Sequence, residues 1–223
     1  MPGRFLGAAV DLKVCRGAYL PHWTCPGGIY AVTFRLADSL PATVVDAWRR
    51  EREELLYRAI RQNRRLTRVE IDALRELDQL RIEGHLDRGA GECLLKEPGA
   101  AGVVRDALAH FDGERYNLVV WCVMPNHVHV VVHPRGDHEL EVILHSWKSF
   151  TANSINRLLG RSGSVWQPES YDHLIRDADD FDHSVTYTLR NPEAAGLKDW
   201  PWSGRGTGFQ PVADAVRRDG DGS

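Results

Sequence analysis

The chain has 223 residues, 43% of them hydrophobic and 26% charged; this is the composition of a globular protein with one principal core, and it excludes disordered and fibrous classes. A formal net charge of −3 excludes a histone-like binder that holds nucleic acid by charge alone. The longest apolar runs are too short to cross a bilayer, no leader-like segment opens the sequence, and Cys15, Cys25, Cys93 and Cys122 show no metal or disulfide spacing, so a cytoplasmic location is expected.

Residues 1–26 hold no sustained period and read as a loosely attached arm. Ile29–Leu36, rich in β-branched and aromatic residues between Gly27-Gly28 and Asp38–Pro41, reads as a strand. From Pro41 to about 88 the texture is helical, with Leu55, Ala59, Leu66, Val69, Leu74, Leu77 and Leu80 recurring at three- to five-residue intervals. One long helix or a helical pair is expected there, with a solvated outer face of mixed charge. A further helix is expected from Lys96-Glu97-Pro98 to His110.

Tyr116–Val123 is apolar at both parities, as in a central strand covered on two faces. The next strand puts His127, His129, Val131 and His133 on one side and Val128, Val130 and Val132 on the other. Glu139–Leu159 follows as an amphipathic helix, with Leu140, Ile143, Leu144, Trp147, Phe150, Ile155 and Leu158 on its apolar side. Tyr171–Arg176 reads as extended, and a last helix starts at the capping residue Asp177 and stops at Pro192. Residues 206–223 read as a flexible tail.

Two features could carry chemistry. His127 and His129, two apart on a strand, can place two imidazoles on one metal ion, although exposed strand histidines are common. On the last helix Phe181, Val185 and Leu189 form the core stripe, while Tyr187 and Asn191 sit one turn apart on a face turned away from it. That offers a nucleophile-capable phenol one turn from an amide oxygen able to act as a ligand; taken alone, the pair reads first as a surface tyrosine with a capping asparagine.

The ordered motifs GIYAVTFR at 28–35, WCVMPNHVH at 121–129, HSWKSFT at 145–151, VWQ at 165–167, YDH at 171–173, YTLRNP at 187–192, AGL at 195–197 and WPWS at 200–203 resemble those of the REP-associated tyrosine transposases, within the single-tyrosine HUH transposase group. The resemblance covers about 28–203. It implies an α+β, ferredoxin-like antiparallel sheet with helices on one face, in a catalytic domain over 27–205; the helical stretch at 41–88 reads as an insertion in it. It implies His127 and His129 as a metal pair, Asn191 as a third ligand and Tyr187 as nucleophile. The reaction implied is metal-dependent nicking and joining of single-stranded DNA at hairpins through a 5′-phosphotyrosine. Mg²⁺ or Mn²⁺ suits the ligand set, Mn²⁺ being better matched to imidazole. Lys148, Arg157 and Arg161 lie in a stretch free of acidic residues and are candidate phosphate contacts, and Tyr171 could stack on a base. Two departures stand out: Ser170 precedes Tyr171 where many relatives carry an aromatic, and the 41–88 stretch exceeds the compact family core. A hairpin-binding protein that has lost cleavage is the alternative from another class, and a small-molecule metalloenzyme a third.

Overall fold

The structure, a computed structural model, describes residues 13–16, 21–24, 27–62, 64, 67–77, 86 and 89–207. Its centre is a five-stranded antiparallel sheet of β3 (Ile29–Arg35), β4 (Tyr116–Val123), β5 (His127–Pro134), β6 (Tyr171–Ile175) and β7 (Ser203–Arg205), in the spatial order β6-β3-β5-β4-β7. With α3 (Pro98–Ala109) between β3 and β4, and α4 (Leu140–Leu158) between β5 and β6, the first four strands make the ferredoxin-like split βαβ arrangement. The expected α+β class is observed.

Alternation along the strands decides what each face holds. Tyr30, Val32 and Phe34 of β3 and Val128, Val130 and Val132 of β5 are buried with Ala100, Val104 and Leu108 of α3 and Ile143, Leu144, Trp147 and Ile155 of α4. Each such side chain contributes roughly 1.5–3 kcal/mol by leaving water. The other face, with Ile29, Val131 and Ile175, takes Phe181 and Val185 of α5 (Ala178–Ala194). The crossover helices thus share one face as expected, whereas the last helix is an addition on the other. In β4 the register shifts between Leu118 and Val120; this bulge lets Leu118 face α3 and α4 while Val120 faces α5.

Several motif residues are structural. Trp147 Nε1 donates to Tyr116 Oη at 2.9 Å, Trp166 Nε1 donates to Thr151 Oγ1 at 2.9 Å, and Phe34 packs edge-on to Trp166. Trp200 Nε1 donates to the Val123 carbonyl at 2.8 Å, so the 200–203 segment secures the end of β4.

The described part of the 41–88 stretch is a pair, α1 (Ala42–Arg61) and α2 (Arg68–Leu77). The break is set by a capping box: Glu70 N–H bonds to Thr67 Oγ1 while the Glu70 carboxylate accepts from Thr67 N at 2.9 Å and from Arg64 at 2.7 and 2.8 Å. Leu40, Val45, Trp48 and Leu86 form a small separate core.

Other expectations need correction. Within the 1–26 arm, β1 (Lys13–Arg16) and β2 (Pro21–Thr24) pair antiparallel, which the absence of a sustained period did not announce. Pro192 does not stop α5, which runs to Ala194: proline removes one hydrogen bond of the last turn, and the burial of Asn191 and Pro192 offsets that loss. Helix α3 ends at Ala109, with His110 as its C-cap. Phe150 and Leu158 of α4 are exposed. The tail expectation at 206–223 fails at its start, since Gly206 N–H donates to the Val119 carbonyl and Thr207 N–H to Asp112 Oδ2; 208–223 lie outside the described residues. Glycine at 206 is required by packing, because a Cβ there would overlap the Leu118 carbonyl.

Candidate active site

The β3–β5 register sets Thr33 opposite His129 and Arg35 opposite His127, and the β3–β6 register sets Tyr171 on the far side of Thr33. All five side chains therefore point to the face that α5 covers. His127 and His129 are buried, and their Nε2 atoms face each other at 2.9 Å. His133, on the same side of β5, lies beyond Val131 and takes no part in this contact.

The proton positions follow from the neighbours. Asn126 Nδ2 donates to the carbonyls of Leu86 and Ala90 at 3.1 and 3.0 Å, which leaves Oδ1 as an acceptor toward His127 Nδ1 at 2.8 Å. His127 therefore carries its proton on Nδ1 and presents a bare Nε2. His129 donates to it from Nε2, and His129 Nδ1 accepts from Thr33 Oγ1 at 2.8 Å. A hydroxyl can also accept, so Thr33 permits His129 to move its proton to Nδ1 and free Nε2 as well.

Burial makes both imidazoles neutral, holding His129 down at about 3 and His127 well below its ordinary range, the latter helped by His129 and by the Arg35 guanidinium. Unfolding below pH 6.5 lets each take up a proton it cannot hold in the fold, so the unfolded state binds more protons and stability falls as pH falls. Acid titration of thermal stability should show a loss of roughly 1 kcal/mol per pH unit per histidine from about pH 6.5 downward. His129→Gln should flatten the slope; an unchanged slope would contradict the assignment.

Helix α5 brings up the second half. Asp177 caps it, accepting from Asp180 N–H at 2.9 Å, and Asp180 in turn binds His173 Nε2 of β6 at 2.9 Å, which pins the helix start to the sheet. Two turns later the Tyr187 ring stands edge-on to His129, centroids 5.4 Å apart. Asn191, buried, donates from Nδ2 to Tyr187 Oη at 3.0 Å, while its Oδ1 has no hydrogen-bond partner among the described residues. An orphaned buried carbonyl oxygen is costly unless something binds it. Among the described residues no three His, Cys, Asp or Glu side chains converge. Two neutral imidazoles with hydrogen-bonded Nδ1 atoms and one unpaired amide oxygen fit a divalent ion.

A cleft of about 410 Å³ opens on this cluster, lined by Thr33, His129, Tyr171, His173, Arg176 and Tyr187 among others. Of the residues singled out by sequence, His129, Tyr171 and Tyr187 line this cleft, while buried His127 touches His129 and buried Asn191 touches Tyr187. Lys148, Arg157 and Arg161 are not in contact with the histidine pair: α4 packs on the other face of the sheet, and Arg161 follows its end. Lys148 Nζ donates to the Pro168 carbonyl at 2.8 Å, and burial lowers it to about 8; Arg161 pairs with Glu92; Arg157 is exposed. Lys148 lines a second groove of about 460 Å³ with Asn153, Asn156 and Gln167. Sequence reasoning missed Thr33 and Asn126. The signal for Asn126 was its place beside His127; for Thr33, a polar residue on an otherwise apolar strand.

No family model matches the chain. It is 28% identical over 107 residues to the REP-associated tyrosine transposase of Escherichia coli, covering 45% of this chain and 62% of that one. It is 28% identical over 102 residues to a Haemophilus influenzae chain described under the same family name, covering 40% and 58%. The chain thus spans about three fifths of the length of the curated relatives it matches. A solved structure, of a REP-associated tyrosine transposase bound to a REP hairpin, aligns over 86% of this chain and 82% of that one at 18% identity and a TM-score of 0.46. Among the described residues no helix is long and apolar enough to cross a membrane. By sequence, the chain is similar to two curated REP-associated tyrosine transposases over part of their length.

Proposed function

We propose that this chain is a divalent-metal-dependent enzyme that nicks and rejoins single-stranded DNA at or near hairpins, with Tyr187 as nucleophile and His127, His129 and Asn191 as metal ligands. The observation that carries the reading is the contact of the buried His127–His129 pair, through the His129 ring, with Tyr187 of a helix-borne Tyr187–Asn191 pair whose amide oxygen has no hydrogen-bond partner among the described residues. When bound there, Mg²⁺ or Mn²⁺ supplies Lewis-acid polarisation of the scissile phosphate.

The protein's own groups do the rest. Asn191 Nδ2 fixes the phenolic oxygen from a rigid helix. Tyr187 Oη attacks phosphorus, the bond from phosphorus to the 3′ oxygen breaks, and the phenolic proton is matched by one taken up at the departing 3′-hydroxyl. The phosphodiester bond energy is kept in the 5′-phosphotyrosine, so the 3′-hydroxyl of another strand can reverse the step without a nucleotide cofactor. The cleft beyond Tyr187 leaves room for a strand, with the Tyr171 ring as a stacking surface.

Incubation with labelled hairpin strands and Mn²⁺ should give a protease-sensitive covalent adduct; its absence, with binding intact, would instead favour the hairpin-binding alternative. Selective affinity for single-stranded hairpins over blunt duplex is expected across a salt series, and equal affinity would contradict it. Arg157→Ala should lower the salt slope by about 1 if that side chain meets a phosphate. Lys148→Ala should act mainly on stability, since its ammonium is committed to the 168–170 backbone and Ser170.

A further inference from the structure

The turn before β5 ties the histidine pair to a distant part of the chain. Asn126 is fully buried, and its side chain spends all its groups. Both Nδ2 hydrogens go to carbonyls, of Leu86 at 3.1 Å and Ala90 at 3.0 Å, and Oδ1 goes to His127 Nδ1 at 2.8 Å. The turn itself is rigid: Leu36 N–H donates to the Asn126 carbonyl at 2.9 Å, Leu95 N–H to that of Pro125 at 3.1 Å, and Met124 N–H to that of His127 at 2.8 Å. Leu86 is anchored in its turn, buried against Leu40, Val45 and Trp48. An amide with both donors fixed cannot rotate its oxygen away, so the orientation of the Asn126 side chain is dictated by the segment that closes the 41–88 insertion.

We infer that Asn126 is a positioning residue that locks His127 in its Nδ1–H tautomer, and that the helical insertion holds Asn126 in place to do so. The consequence is chemical. Only the Nδ1–H form of a neutral imidazole presents Nε2 as a ligand, and outer partners of this kind command about 10- to 100-fold in metal affinity. The insertion, which on the chain lies far from Tyr187 and Asn191, thereby becomes part of the support of the site. The inference rests on the metal reading above for its use, although the tautomer lock is a property of the protein alone.

The test uses the full chain with ¹⁵N-labelled histidine and two readouts, the His127 tautomer by long-range nitrogen–proton correlation and Mn²⁺ binding by titration. The wild type should hold His127 as Nδ1–H. Asn126→Ala should mix the tautomers and weaken Mn²⁺ binding about 10- to 100-fold. Asn126→Asp keeps the acceptor and loses both donors, so it should restore the Nδ1–H form and bring Mn²⁺ affinity to within a few-fold of wild type, while lowering the melting temperature because two buried carbonyls lose their partner. An Asn126→Ala protein with wild-type tautomer and affinity would overturn the inference, as would an Asn126→Asp protein whose His127 leaves the Nδ1–H form; the latter result decides alone if the alanine variant does not fold. A wild-type protein that binds no Mn²⁺ overturns the metal reading instead, and the tautomer comparison still decides the lock.

Discussion

Tyr187→Phe is expected to abolish the covalent adduct with hairpin DNA, by at least about 10³-fold, because it removes the one atom that attacks and leaves the ring in place. The ring contact with His129 and the position of Asn191 on the same helix need no phenolic oxygen. Stability should therefore change by about 1 kcal/mol, the worth of a hydrogen bond such as that from Asn191 Nδ2, and hairpin affinity should stay near wild type. Tyr171→Phe is the control: that ring lines the same cleft but lies across Thr33 from the histidines, so an adduct should still form. Adduct lost in the second variant and kept in the first would reverse the roles and make Tyr187 a packing residue.

The second large effect is on the metal. His127→Ala and His129→Ala should each weaken Mn²⁺ binding by more than about 100-fold, beyond what an outer partner of a metal ligand commands. Asn191→Ala should weaken it less, because an amide oxygen is a neutral ligand and solvent can replace it. Circular dichroism and thermal melts separate this from unfolding, and the glutamine variants of both histidines reduce the cavity left in the sheet face. Titrations with Mn²⁺ in which all three variants match the wild type would remove the ion from this site. Because burial already holds both imidazoles neutral, Mn²⁺ affinity should change little between pH 8 and pH 6, unlike that of an exposed histidine pair.

What the sequence made legible follows the strength of each local signal. Alternation along 127–134 placed both histidines on one strand face because period-two patterning is a direct image of the pleat. Asp177 announced its helix because the capping geometry is local, and the side chain accepts from Asp180 N–H as expected. The one-turn spacing of Tyr187 and Asn191 was recoverable for the same reason, whereas their candidate roles came from the resemblance and the burial of Asn191 from the fold.

The rest depended on distant partners. Strand β7 is three residues, Ser203–Arg205, with no hydrophobic pattern, and exists because β4 offers it an edge. Nothing in the sequence of α4 says that its basic stretch faces away from the histidines; that follows from strand order and crossover hand. The break between α1 and α2 is made locally, by a Thr67–Glu70 capping box without glycine or proline, and the reading of 41–88 left it open. The role of Asn126 depends on carbonyls forty and thirty-six residues earlier in the chain, which no local pattern reports.

The central claim, that Tyr187 joins covalently to a DNA 5′ phosphate, has a direct measurement. Wild-type protein is incubated with a single-stranded hairpin substrate and Mn²⁺, the adduct is digested with protease and nuclease, and the residual nucleotide is located by tandem mass spectrometry. The account predicts a 5′-phosphate-linked nucleotide on the peptide containing Tyr187, together with a free 3′-hydroxyl on the released strand. A nucleotide on Tyr171 or on any other side chain, or a released strand ending in a 3′ phosphate, would contradict it.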